Sequence, residues 1–332
     1  MRDGELTVAD LGEHSLIDRI VRALPAAPPD EIWQGDDAAL VSSPGRSLLF
    51  TVDVMVEGLD FRLDYASGFD VGWKVVAINS SDVAAMGGRP AHGVATLCLA
   101  DSTPVILVDE IVSGLGSAAR RFGAALVGGD VSGASELSVS VALLGTPGPA
   151  VLTRSGAGPG QVLCVTGALG GAAGGLEVLR RGIERDGPEA AALVERQLRP
   201  EARVEAGPLL AEAGASAAID LSDGLAVDLG HLTARSGVGC EVDAGALPLD
   251  PHLSWLAARA PDFDPVAAAI TGGEDFELLF TIEEDRLPGL RRRLGEGVSV
   301  TVIGRTTSGP ARIDDRELSE WRKQGWEHLR GR

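Results

Sequence analysis

Short apolar runs alternate with helical patterns over residues 37–145. Five runs are rich in Val and Leu and bounded by Gly, Pro or Asp, which predicts strands: AALVSS, SLLFTVDV, HGVATLCLA, ALVGGDVSG and LSVSVALLG. Between them, DVGWKVVAINSSDVAAMG and VILVDEIVSGLGSAARRFG place apolar residues at helical spacing. The pattern therefore predicts a mixed sheet with two long helices in this part of the chain.

A Gly- and Pro-rich stretch, GTPGPAVLTRSGAGPGQ, follows and predicts a domain boundary, so we expect domains at 1–148 and 149–332. The second unit has predicted strands at QVLCVTG, FELLFTI and VSVTVIGR, and a strand-to-helix passage at AAIDLSDGLAVDLGHLTARSG. A glycine-rich loop, GALGGAAGGL, opens a helix, and further helices are predicted around 188–213 and 285–295. Mixed strands and helices in both units predict an α/β (α+β) fold in two halves.

Length and charge narrow the class of protein. A chain of 332 residues is long enough for two hydrophobic cores. The net charge of −19 argues against a nucleic-acid or anionic-membrane surface, where basic patches are expected. No apolar run approaches the roughly 18 residues that span a bilayer, and the first residues lack a signal-peptide pattern, so we expect a cytoplasmic protein. The three cysteines lie in separate apolar stretches, which disfavours a disulfide or zinc framework.

Acidic residues recur beside glycine or small residues in six segments, mostly at predicted strand ends. The segments are GDDAA, TVDVMVEGLDF, NSSDVAAMGG, GGD, DLSDG and GGEDFE. Strand ends are where α/β proteins gather ligand groups, and glycines let backbone N–H groups approach a phosphate. Clustered carboxylates repel one another unless a cation lies between them, and Mg²⁺ prefers carboxylate and phosphate oxygens. The sequence therefore predicts a magnesium and phosphate site.

The first of the two predicted helices, DVGWKVVAINSSDVAAMG, adds to this site. Lys74, Ile78 and Asp82 recur at i, i+4 and i+8, and Asn79 lies beside them. We expect that face to present a cation, an amide and a carboxylate together.

Several signatures of other phosphate-handling proteins are missing. The chain has no Gly-Lys dipeptide, which excludes a Walker A motif, and it lacks the VAIK and HRD motifs of protein kinases and any G-x-G-x-x-G. Its five histidines are scattered, and no GxSxG elbow supports covalent catalysis. Phosphoryl transfer still needs positive charge on the phosphates, for which Mg²⁺ and Arg154 in LTRSG are the candidates.

Taken in order, the motifs resemble those of the thiamine-monophosphate kinase family, which belongs to the ATP-binding superfamily shared with aminoimidazole ribonucleotide synthetase and selenophosphate synthetase. The resemblance covers almost the whole chain and rests on GDDAA, TVDVMVEGLDF, NSSDVAAMGG, VGGDVSG, LTRSGAGPG, LRPEARVEAG, IDLSDGLAVDLGHL and GGEDFELLF. It implies a homodimer of two-domain subunits that pair through their N-terminal sheets, with ATP in a cleft near the interface. The implied activity is direct transfer of the ATP γ-phosphoryl group to thiamine monophosphate with several Mg²⁺ ions.

The resemblance also assigns roles to residues of this chain. The implied metal ligands are Asp37, Thr51, Val52 (through its backbone at most), Asp53, Asp82, Asp130, Asp220 and Asp223. The implied nucleotide contacts are Gly129, Asp130, Arg154 and Ser222, and the catalytic set is Asp130, Asp220 and Arg154. The implied substrate contacts are Asp60, Glu274 and Trp326, the last by stacking on the cationic rings.

The chain departs from the family at two positions. Val52 stands where the family commonly has a hydroxyl residue, so side-chain ligation is lost there. Asp60 stands where the family often has histidine, and it could face the thiazolium or a metal.

Two alternatives remain open from the residues. One is a sister enzyme that uses ATP on another acceptor, such as aminoimidazole ribonucleotide synthetase. Selenophosphate synthetases are disfavoured because they carry a reactive residue near the N-terminus, and the first cysteine here is Cys98. The other alternative is a catalytically inactive ATP-binding regulator, in which loss of the metal carboxylates is expected.

Overall fold

The computed structural model describes residues 13–23, 26–33, 35–184 and 187–323 and places two β-sheets in them. The first sheet has the order β1-β2-β5-β3-β4, and only β3 and β4 run parallel. Its strands are β1 (Ala39–Ser43), β2 (Arg46–Val56), β3 (Arg89–Leu99), β4 (Ala125–Gly133) and β5 (Ser138–Thr146). Three helices belong to this half: α1 (Glu13–Ala23), α2 (Gly68–Ala85) and α3 (Val105–Phe122). All five strands and both long helices predicted for 37–145 are present.

Helix α2 is the buried centre of this half. It begins at a capping box in which the Ser67 side chain and the Asp70 carboxylate each bond the other residue's backbone N–H. It packs on α3 at two glycines: a Cβ on Gly72 would collide with the carbonyl oxygen of Ile111, and one on Gly114 with that of Phe69. The two helices therefore touch backbone to backbone, and α2 is held against the sheet by an apolar core.

The opposite face of the first sheet is open. Along β2, Thr51 and Met55 are buried towards the helices, whereas Phe50, Val52 and Val54 are 45%, 63% and 54% exposed. This is the alternation that strand geometry imposes. Val94 on β3 is exposed on the same face, because it and Val52 both pair with Ala142 of β5.

The second half contains a sheet of order β12-β11-β8-β10-β6-β9-β7. The strands are β6 (Val162–Thr166), β7 (Ala217–Asp220), β8 (Gly239–Val242), β9 (Leu278–Ile282), β10 (Val300–Thr307), β11 (Ala311–Ile313) and β12 (Arg316–Glu317). The helices are α4 (Gly171–Arg181), α5 (Pro188–Leu198), α6 (Ala206–Ala213), α7 (Leu225–Ser236), α8 (Leu253–Ala257), α9 (Pro265–Thr271), α10 (Leu287–Leu294) and α11 (Leu318–Arg322). The α/β fold class is confirmed, whereas the sequence pattern missed the short elements β8, β11, β12, α8, α9 and α11.

The segment after α5 ties the two halves together. The Arg199 guanidinium lies 2.6 Å from the Asp70 carboxylate, and the Trp73 indole N–H donates to the Pro200 carbonyl at 3.0 Å. These contacts hold α2, and with it the first half, against the second half of the chain. Within the described residues, no helix is long and apolar enough to cross a membrane.

Candidate active site

A cleft of about 730 Å³ lies between the two halves and collects side chains from both. The predicted site residues that line it are Asp53, Asp60, Asp82, Asp220, Ser222, Asp223 and Glu274. The helix face predicted from spacing also lines it, since Lys74, Ile78 and Asp82 all face the cleft. Asn79 does not join them: it is fully buried, and its amide donates to the Val75 carbonyl within the helix.

Three carboxylates from distant parts of the sequence meet at one end of the cleft. One oxygen each of Asp37, Asp82 and Asp220 lies within 4.8 Å of the others. Asp82 lies in the last turn of α2, Asp220 ends β7, and Asp37 precedes β1. The Thr51 hydroxyl donates to Asp82 Oδ2 at 2.6 Å, and the Ser81 hydroxyl donates to Asp220 Oδ2 at 2.7 Å.

Asp53 adjoins this cluster through a hydrogen bond with Asp82, and some oxygens of the four acids are buried without a hydrogen-bond partner. Among the described residues, these include Asp37 Oδ2 and Asp53 Oδ2. Leaving a buried acceptor unsatisfied costs free energy, so these two oxygens are candidates for binding a ligand. Carboxylate oxygens are the donors that a hard divalent cation takes.

Burial and mutual repulsion both disfavour the charged form of these acids. Burial raises the pKa of Asp82 well above its usual value, and the charges of Asp53 and Asp220 raise it further. Burial also raises the pKa of Asp220, with the charge of Asp37 adding to the effect. The pKa of Asp53 rises from 3.8 to about 6, chiefly through burial. A cation between these groups would reverse this preference.

Arg154 supplies a positive charge beside the cluster. Its Nη2 lies 2.8 Å from Asp37 Oδ1, and its backbone N–H donates to Asp36 Oδ1 at 2.6 Å. Burial opposes the charged form of Arg154, but the carboxylates, first of all Asp37, outweigh it and raise the pKa of the guanidinium. Its Nε is buried without a hydrogen-bond partner, so the side chain keeps an unused donor.

The loop from β7 to α7 is held by a residue that the sequence pattern missed. The buried Asp228 carboxylate accepts the backbone N–H groups of Asp223 and Gly224, both at 3.1 Å. These two hydrogen bonds fix the loop that carries Ser222 and Asp223 into the cleft. The sequence did carry one signal for this role: Asp228 lies in the first turn of a predicted helix, where a carboxylate is favourable beside the backbone N–H groups.

Glu274 lies at the other end of the cleft in a strained backbone. Its φ is 68°, which is uncommon outside glycine, and its N–H donates to the Ser222 carbonyl at 2.8 Å. Its Oε1 lies 2.6 Å from the Lys74 ammonium. Strained residues concentrate at functional sites, which supports a role for this segment.

The glycine-rich loop before α4 is already occupied. The buried Asp275 carboxylate accepts the N–H groups of Gly170 at 2.7 Å and Ala172 at 3.1 Å. Burial raises the pKa of Asp275 to about 7. Because these amides bind a carboxylate of the same chain, the loop has little left to offer a phosphate.

Three predicted site residues lie away from the carboxylate cluster. Asp130 on β4 is in register with Thr96, which pairs with Ser140, which pairs with Val54. Residues in one such row point to the same side of a sheet, so Asp130 lies with Val54 on the open face. Val52 points to that face as well. Gly129, the residue before Asp130, is exposed, and a side chain there would collide with the Ala95 carbonyl oxygen.

Asp60 and Trp326 are the two other predicted substrate contacts. Asp60 lines the cleft and its Oδ2 accepts the Val56 N–H at 2.8 Å, which closes the turn after β2. Trp326 lies outside the described residues.

Family models and similar proteins match almost the whole of the chain. Residues 35–146 match the family model of the AIR synthase related protein, N-terminal domain, and residues 158–315 match its C-terminal domain. The thiamine-monophosphate kinase of Mycobacterium tuberculosis is 37% identical over 308 residues, which cover 92% of this chain and 88% of that protein. The enzyme of the same name from Escherichia coli is 36% identical and covers 96% of this chain and 98% of its own length.

A solved structure of AaThiL complexed with AMPPCP and TMP superimposes with a TM-score of 0.88. That protein is 34% identical, and the match covers 97% of this chain and 99% of the other. On these grounds, the chain belongs to the thiamine-monophosphate kinase family.

Proposed function

We propose that this protein transfers the γ-phosphoryl group of ATP to thiamine monophosphate, forming thiamine diphosphate. The observation that carries the proposal is the buried cluster of Asp37, Asp82 and Asp220, with unpartnered oxygens, at one end of a cleft of about 730 Å³. Relatives over nearly the whole chain bear the name of this activity, and the similar AaThiL structure holds an ATP analogue and TMP.

The acids at the cluster fit Mg²⁺ by their chemistry. The ion is hard, and the unpartnered oxygens of Asp37 and Asp53 are hard donors in a buried position. Asp82 and Asp220 would complete the set, with Asp223 on the adjacent loop, and the Thr51 hydroxyl keeps its lone pairs after donating to Asp82. When bound, Mg²⁺ supplies the positive charge that lets two anions approach each other.

The chain's own groups then position the reactants. Arg154, held by Asp37, offers its unused Nε donor and its charge to a nucleotide phosphate, and Ser222 contributes from the fixed loop. The acceptor is a phosphate whose second pKa is about 6, so it is largely deprotonated near neutral pH. It needs little help from a general base, and within the described part of the chain no histidine lines the cleft.

The organic end of the acceptor fits the other end of the cleft. Leu59, Ile78 and Phe263 provide apolar walls, and Glu274 provides a carboxylate that can accept hydrogen bonds from an amino group. Asp60 adds a second negative charge for a cationic ring. Trp326 keeps its proposed stacking role.

We further propose a homodimer that pairs through the open face of the first sheet. Phe50, Val52 and Val54 on β2 and Val94 on β3 form an exposed apolar surface that a soluble protein rarely leaves uncovered. Pairing there would bring Asp130 to the interface, because it shares the open face with Val54. The boundary between residues 148 and 149 and the cytoplasmic location stay predictions.

Coupled ADP release with Mg-ATP and thiamine monophosphate tests the activity directly. Turnover that needs both thiamine monophosphate and Mg²⁺ would establish it. Turnover only with another acceptor from a panel would identify a sister enzyme. Binding of ATP without turnover, on folded protein, would identify an inactive regulator and overturn the proposal.

A further inference from the structure

Lys74 is a buried lysine in the wall of the cleft. It is 4% exposed, although lysine is almost never fully buried unless it is paired. Its ammonium lies 2.6 Å from Glu274 Oε1. The chain has only one other lysine, Lys323, which is exposed. A buried charge that has one specific partner indicates a role in holding that partner in place.

Glu274 is held from three directions. Lys74 binds Oε1, the Gln197 amide donates to Oε2 at 2.6 Å, and the backbone N–H of Glu274 donates to the Ser222 carbonyl at 2.8 Å. Gln197 is itself 3% exposed. With both oxygens bonded to buried groups of fixed direction, the carboxylate is held in one orientation, although its side chain is 31% exposed to the cleft.

Lys74 lies away from the metal cluster along α2. Asp82 follows it by eight residues on the same face of α2, which corresponds to about 12 Å along the helix axis. Ile78 lies between them and lines the cleft. Its ammonium is bound to Glu274, so the role of Lys74 lies at that residue.

We propose that Lys74, together with Gln197, is a positioning residue that fixes the Glu274 carboxylate for binding the nitrogen-rich organic end of the acceptor. This inference rests on the proposed function. A carboxylate that is already oriented accepts a hydrogen bond from an amino group without the cost of ordering it at the moment of binding. Without the ammonium, the partly exposed carboxylate turns towards water and loses that orientation.

Kinetics of Lys74→Met test the proposal, with Lys323→Met as the matched control and Gln197→Met as a second, milder variant. Loss of one charge-assisted hydrogen bond raises KM for thiamine monophosphate roughly 10- to 100-fold. KM for ATP and kcat change by less than about threefold, because the interaction is made equally in the ground state and the transition state. A Lys74→Met enzyme that instead loses kcat, with KM for thiamine monophosphate unchanged, would overturn the proposal.

A double variant shows whether Lys74 acts through Glu274. Lys74→Met combined with Glu274→Gln is expected to match Glu274→Gln alone, because the ammonium has nothing left to position. Effects that multiply would show that Lys74 acts independently, and the proposal would fail.

Crystal structures of wild-type protein and Lys74→Met separate this proposal from the proposed function, since they need no turnover. The Glu274 carboxylate is expected to leave Gln197 in the variant, whichever acceptor the enzyme uses. A carboxylate that stays in place would overturn the positioning role even if thiamine monophosphate is the substrate.

Discussion

Replacing Asp53 with asparagine should stabilise the metal-free protein while removing a charge from the carboxylate cluster. Burial raises the pKa of Asp53 from 3.8 to about 6, an effect that the hydrogen bond with Asp82 offsets in part and the charge of Asp60 reinforces. The unfolded chain releases this proton near 3.8, whereas the folded protein holds it until about 6. The folded state therefore loses stability as the pH rises between these two values.

The size of the effect follows from the difference between the two pKa values. Above pH 7, the raised pKa of Asp53 lowers the free energy of unfolding by about 3 kcal/mol relative to low pH. About 1.5 kcal/mol of this loss develops between pH 5 and pH 8. Asparagine does not titrate, so the advantage of Asp53→Asn over the wild type should grow by that amount across this interval. The lower limit of pH 5 stays above the isoelectric point of about 4.6, where solubility is poorest.

Urea unfolding followed by tryptophan fluorescence, in EDTA at pH 5 and pH 8, measures this difference. Asp101→Asn, in an exposed turn, is the control and should show no such change. Adding Mg²⁺ at pH 8 should shrink or reverse the advantage, because the cation favours the charged carboxylate. The reasoning is refuted if Asp53→Asn and the wild type differ by the same free energy at both pH values, or if Mg²⁺ leaves their difference unchanged.

Three further predictions concern the cluster, the arginine and the open face. Asp220→Asn should abolish ADP release without lowering the thermal midpoint, because a metal ligand is lost but buried repulsion is relieved; retained turnover would count against the site. Arg154→Met should lower stability by about 3 kcal/mol in urea unfolding and raise KM for ATP, since it leaves the buried Asp37 unpaired; an unchanged KM would remove Arg154 from the nucleotide site. Val54→Asp should yield monomers in sedimentation equilibrium with secondary structure intact, and a persisting dimer would place the interface elsewhere.

The elements that position the site could be predicted from the sequence wherever the signal is local. Helix α2 and its flanking strands follow from apolar spacing alone, and the eight-residue step from Lys74 to Asp82 is enough to place both on one face. The structure puts that face on the cleft. A helix fixes the relative direction of its side chains, so this part of the geometry needs no knowledge of the rest of the chain.

Contacts between distant segments could not be predicted in this way. Arg154 binds Asp37 across 117 residues, and no spacing rule connects them. Strand alternation shows that Asp53 and Val52 point to opposite faces, but the position of Asp130 depends on the strand order and on a register shift between β3 and β4. Asp228 carried only a weak local signal, because its partners are backbone amides that any residue could supply.

The contact between α2 and α3 extends the set of positions on which catalysis depends. At Gly72 and Gly114 the helices meet without side chains, so even a methyl group at either position would push them apart. The same helix carries Asp82 at one end of the cleft and Lys74 at the other, and a displaced α2 would move both relative to the opposite wall. Variation at these two glycines would then impair the enzyme while every polar group of the active site is intact. In a survey of natural or laboratory variants, such substitutions would be read as damage to the fold, although their first effect would be on the spacing between two halves of a reaction centre.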